Sequence, residues 1–130
     1  PISHTNTDIT VEDLKTKTLW AGDLLFIERT PVIDGDVHGF IAVINEILKL
    51  DVIQVIPGHG SPTKEWREAF KKEQDYFKLL RDEVRKAIDD DQDLQLTIET
   101  AGQTESKKWE LFEIQNARNI NKIFPMMEWE

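Results

Sequence analysis

The stretch from Phe40 to Gly60 constrains the fold more than any other part of the chain. Phe40, Ile41, Val43, Ile44, Ile47, Leu48 and Leu50 recur at helical spacing with Asn45, Glu46 and Lys49 between them. That pattern predicts an amphipathic helix of about three turns ending near Asp51. The run VIQVI at 52–56 is β-branched and nearly continuous in apolar character, which suits a strand buried on both faces. It leads straight into PGHG at 57–60, where two glycines let the backbone turn sharply. A helix feeding a buried strand, after earlier strands, predicts an α/β layered fold.

The flanks agree with that frame. Between Ile9 and Ile27 the apolar stretches ITV, TLWA and LLFI are interrupted by the charged run Glu12 to Lys17, which reads as a hairpin leading into a third strand or a strand extension. The segment ERTPVIDGDVHG at 28–39 mixes Pro31, Gly35 and Gly39 with charges, predicting an exposed loop of the kind that often carries function. Ser61 and Pro62 together form a helix-start signal. A long helix is expected from there, with Trp66, Phe70, Phe77, Leu80, Val84 and Ile88 as its apolar stripe. The acidic cluster DDDQD at 89–93 should end it, because aspartates oppose the helix dipole there. Beyond lie the alternating stretch LQLTI, Gly102, and a segment with Trp109, Leu111, Phe112, Ile120, Ile123 and Phe124 that reads as helical until Pro125. The expected organisation is one domain over 1–130, with 94–130 as a C-terminal extension.

Composition narrows the chemistry. With 16 basic and 25 acidic residues the net charge is −9, which repels phosphate backbones and anionic headgroups and argues against nucleic-acid and membrane partners. There is no cysteine, so a metal would have to be held by histidine and carboxylate. No apolar run approaches the length of a transmembrane span, about 20 residues. The start PISHTNTD has neither the basic stretch nor the apolar core of a signal peptide. Because the chain opens at Pro1 and is almost at once inside a polar, histidine-bearing motif, processing or truncation is an expectation.

The three histidines are His4, His38 and His59. His4 lies among small polar residues in SHTNTD, and His59 stands between glycines just after an apolar strand, where α/β proteins place their sites. Asp23 emerges from the apolar LWAGDLLF with Gly22 before it. A carboxylate in such surroundings needs a partner to offset its desolvation, and a metal ion is one such partner. Each has a plainer reading: His4 as a terminus, His59 as a turn residue, Asp23 as a cap or ion-pair partner. Asp34, Asp36 and His38 are candidates for a substrate-facing loop, against the alternative of a solvated one. The run at 89–93 lacks the glycine and final glutamate of an EF-hand and reads as a solvated helix end. Trp66, Phe70 and Phe77 read as core.

Taken in order, His4-Thr5, Gly22-Asp23-Leu24-Leu25-Phe26 and Pro57-Gly58-His59-Gly60 resemble the HT, GD and GHG elements of the metallo-β-lactamase superfamily. The loop ERTPVIDGDVHGF adds to the likeness. The tail FEIQNARNINKIFPMMEWE resembles the ending of quinoprotein-relay zinc metallohydrolases, and the set as a whole is glyoxalase-II-like. The resemblance implies the C-terminal half of an αββα sandwich: short strands, then helix, strand and long helix, then a helical tail. It also implies His4, Asp23 and His59 as metal ligands, with Asp23 bridging two metals, His4 completing the first site and His59 the second.

The family's HxHxDH motif does not occur in these 130 residues. The expectation is therefore a metal-dependent hydrolase of an ester, thioester or related carbonyl compound, with two Zn²⁺ per complete site and this chain inactive alone. Iron or manganese suits the same ligand types, and one alternative is an iron-dependent relative that oxidises sulfur compounds. Another is a non-catalytic oligomerising module of the same fold. Partners are then a small-molecule substrate and either a second copy or the missing N-terminal half. Relatives lean towards export, but localisation stays open.

Overall fold

The computed structural model describes residues 10–130, in which three strands and four α-helices form a mixed α/β arrangement. Strand β1 (Val11–Asp13) turns back through residues 14–17 into the nine-residue β2 (Thr18–Phe26). Asp13 shapes that turn by accepting hydrogen bonds from the amides of Lys15 and Thr16. TLWA and LLFI are thus one long strand, the extension that the apolar pattern allows. Strand β3 (Gln54–His59) lies on the other side of β2 and runs parallel to it. Parallel neighbours need a crossover, and helix α1 (Val37–Ile47) supplies it.

Helix α1 begins at Val37, three residues before its expected start. Asp36 makes this stable, its carboxylate accepting from the amides of His38 and Gly39, both at 3.2 Å. Helix α2 runs from Trp66 to Asp89, so the start expected at Ser61-Pro62 is corrected. Thr63 is held in an antiparallel bridge by two 3.0 Å backbone hydrogen bonds with Val55. Residues 61–65 therefore cover the free edge of β3 before the helix can begin. The expected stripe and the acidic end of α2 are both present, with Trp66, Phe70, Phe77, Leu80 and Val84 buried.

LQLTI belongs to a short helix, α3 (Leu94–Thr100), capped by Asp93 through the Leu96 amide at 2.8 Å. Helix α4 (Phe112–Glu128) continues past Pro125, which corrects the expected stop. The proline removes one backbone hydrogen bond. Buried Met127 offsets that loss, because its carbonyl accepts from the Arg85 guanidinium. The tail contributes Trp109, Phe112, Ile120 and Ile123 to the same core as the sheet and α2. Among the described residues no helix is long and apolar enough to cross a membrane.

Two expectations about burial change. VIQVI is not buried on both faces: in β3 Val55 is buried while Gln54 and Ile56 are half-buried, and Ile53, just before the strand, is 56% exposed. Register sets Val11, Trp20 and Ile56 in a row across the three strands, with Val11 58% and Trp20 51% exposed. One row of the outer face is therefore apolar, while the next, Asp13, Thr18 and Gln54, is polar. The loop at 28–39, expected to be exposed, is threaded into the core, with Thr30, Pro31, Ile33 and Gly35 buried. Asn119 of α4 provides the polar partners that make this tolerable. Its side chain donates to the Pro31 carbonyl at 2.7 Å and accepts from the Ile33 amide at 2.9 Å.

Candidate functional site

Strands β2 and β3 end side by side, and their ends bring Asp23 and His59 together. Asp23 Oδ1 lies 3.2 Å from His59 Nε2, with the two side chains 53% and 41% exposed respectively. The sequence separates them widely; the parallel register unites them, pairing Gly22 with Pro57 and Phe26 with His59. The register slips around Gly22, which adopts φ 55°. Such a bulge re-aims the side chains that follow. The backbones approach so closely that a Cβ on Gly58 would fall 2.6 Å from the Gly22 carbonyl and 2.7 Å from Asp23 Oδ1. The two glycines of the GD and GHG segments thus answer one steric demand.

His59 is oriented from behind. Its ring stacks on Phe26 with centroids 4.9 Å apart and planes within 10°. Phe26 is itself buried, and its amide donates to Glu73 Oε1 at 2.9 Å. Glu73 is wholly buried in α2, and burial pushes its carboxyl well above the usual range, with the Phe26 amide opposing that shift. The neutral acid is then the form that fits this position, and its Oε2 has no hydrogen-bond partner among the described residues. Sequence inspection passed over Glu73, although it sits three residues after Phe70 and four before Phe77, squarely in the apolar stripe of α2.

A cleft of about 240 Å³ opens beside His59, walled by Phe26, Val32 and Leu111, with Arg29 and Gln115 among its polar groups. Asp34 also lines it and pairs with Arg118 at 3.4 Å. The other two residues of the predicted loop face elsewhere. Asp36 caps α1, and His38 Nε2 meets Glu130 Oε1 at 2.7 Å. His4 lies outside the described residues. Among those residues, no group of three or more histidine and acidic side chains converges.

One imidazole and one carboxylate at hydrogen-bond distance, half open to solvent, are a donor set that suits a divalent ion but leaves it short of ligands. No protein-family profile and no curated protein matches the chain.

Proposed function

We propose that the chain is part of a metal-dependent hydrolase of the metallo-β-lactamase superfamily, acting on an ester, thioester or related carbonyl compound. The observation that carries this reading is the Asp23–His59 pair, built at adjacent strand ends over two abutting glycines. In this reading Asp23 and His59 are ligands, His4 is a third, and zinc is the resident metal, two ions to a complete site. When bound, such an ion supplies Lewis-acid activation of a carbonyl and a water of lowered pKa. The chain's own residues orient that chemistry: the Phe26 ring limits rotation of His59, and the bulge at Gly22 aims Asp23 towards it. Because the HxHxDH segment is absent from this sequence, the remaining ligands must come from another polypeptide segment. The chain alone then binds metal weakly and does not turn over.

Titration with Zn²⁺ tests this. Its addition should shift the NMR signals of Asp23 and His59 before those of other acidic residues, and His59→Ala should abolish that order. With an HxHxDH-bearing half supplied, zinc binding and thioester hydrolysis should both appear. Shifts scattered over the acidic surface, with no hydrolysis after complementation, would sink the proposal. Iron with oxygen consumption would redirect it to oxidation of sulfur compounds.

The row of exposed Val11 and Trp20 with half-buried Ile56 favours a second reading, an oligomerising module whose uncovered sheet face pairs with another copy or another segment. Sedimentation separates the two. A metal-free dimer that Trp20→Glu dissociates supports the module, and a monomer at all concentrations removes it.

A further inference from the structure

The cleft beside His59 has features that holding the metal ligands does not account for. Two of the non-glycine residues with positive φ, Glu28 at 71° and Leu111 at 58°, flank one short backbone bridge between Arg29 and Glu110. The Glu110 amide donates to the Glu28 carbonyl at 2.7 Å, and the Glu110 carbonyl accepts from the Thr30 amide at 3.0 Å and hydroxyl at 2.7 Å. This clasp holds Leu111, a residue 54% exposed at the cleft, in a left-handed conformation that L-residues disfavour. Strain kept by surrounding hydrogen bonds is characteristic of ligand clamps.

The polar groups of the cleft are unbalanced. Asp34 is offset by Arg118, whereas the Arg29 guanidinium has no ion-pair partner among the described residues. Gln115 Oε1 is buried and has no hydrogen-bond partner among them either. Arg29 is exposed and lines the cleft, so in a chain of net charge −9 it offers that cleft a cation open to an anionic partner.

We infer that this cleft is a recognition site for a small amphiphilic carboxylate, whose apolar body lies on Phe26, Val32 and Leu111 and whose carboxylate is held by Arg29. A planar guanidinium suits a carboxylate better than an ammonium does. The role as a substrate site rests on the hydrolase reading, since that reading makes the adjoining Asp23–His59 end the reacting one. Binding in the cleft does not depend on it.

Hippurate is the probe, because it joins an aromatic body, an amide N–H and a carboxylate; hippuramide is its uncharged counterpart. Both are titrated into the full chain in the presence of a chelator, so that no metal can hold the carboxylate. Hippurate should shift the amide signals of Arg29, Val32 and Leu111 saturably. Hippuramide, and hippurate with Arg29→Met, should each bind about tenfold more weakly or worse, with Arg29→Lys intermediate. An unchanged spectrum elsewhere in Arg29→Met shows that the fold is kept. Equal binding of the two probes, indifference to Arg29→Met, shifts outside the cleft, or no shift up to the solubility limit would each overturn the inference. If hippurate binds as described while zinc finds no site, the hydrolase reading alone fails. If zinc and hydrolysis are established but charged and neutral probes bind alike, only this inference fails.

Discussion

Two polar clusters lie about the loop that follows β2, and they are built in opposite ways. Tyr76, Asn116 and Asn119 are buried and joined to one another: the Tyr76 hydroxyl donates to Asn116 Oδ1 at 2.8 Å and accepts from Asn119 Nδ2 at 3.0 Å. Asn116 also donates to the Ala101 carbonyl at 2.9 Å, and Asn119 holds Pro31 and Ile33. Burial pushes the Tyr76 hydroxyl well above its ordinary pKa, with the Glu105 charge adding to that shift and the hydrogen bond from Asn119 opposing it, so it stays a neutral donor. Asp23 and His59 are half exposed and set on crowded backbone. A closed network of this sort holds an architecture together, whereas the open pair leaves both side chains within reach of solvent.

Removing the closed network should have the largest effect. Asn119→Ala strips partners from Pro31, Ile33 and Tyr76 at once, and each buried group left unpaired costs about 1–3 kcal/mol. A total loss of about 3–5 kcal/mol is expected by chemical denaturation, with faster hydrogen exchange at Ile33. A loss under about 1 kcal/mol would show that water replaces the asparagine, and the contrast between the clusters would collapse.

Glu73 lies between the two clusters, and its effect should be intermediate. Its folded pKa is raised above the ordinary 4.5, so the native state keeps a proton that the unfolded chain releases. The stabilisation is complete below the unfolded value and is lost as pH rises from there towards the folded value. Glu73→Gln keeps an acceptor for the Phe26 amide and removes the titration. The variant should gain stability relative to the parent as pH rises from 4 to 8. Parallel pH–stability curves would mean that the buried carboxyl is not protonated in the fold.

The smallest effect is expected at the pair itself. Asp23→Ala or His59→Ala removes one half-exposed polar contact, the latter also a ring stacked on Phe26, and stability should change by no more than about 1 kcal/mol. The same variants should lose the zinc-induced NMR shifts. A loss of several kcal/mol would make the pair a structural device like the asparagine network, and would weaken the reading of it as a ligand set.

Much of this organisation is legible from local pattern. The spacing of Phe40 to Leu50 specifies an amphipathic helix, the alternation around β2 a hairpin strand, and the stripe from Trp66 to Val84 a long buried helix. The errors arise where a distant partner overrides a local signal. Ser61-Pro62 is a good helix start that the bridge to Val55 takes for the sheet edge. Pro125 is a good stop that Arg85 and the burial of Met127 allow the helix to pass. The proline- and glycine-bearing loop is polar enough to float in water, until Asn119, 86 residues beyond Ile33, supplies its hydrogen bonds. Of the site, Asp23 and His59 stand out through their glycine neighbours. Arg29, Glu73, Leu111 and Gln115 give only faint signals, the clearest being a glutamate in an apolar stripe.

The sequence by itself singled out Asp23 and His59 as candidates and outlined the main strands and helices, because periodicity, β-branching and glycine placement act over a few residues. Only the tertiary structure decided that Asp23 and His59 meet, that Phe26 and Glu73 stand behind them, and that Arg29 faces a cleft. Those relations depend on strand register and on contacts between residues dozens of positions apart. Local propensity does not encode such distances; the packing of helices against one face of the sheet does.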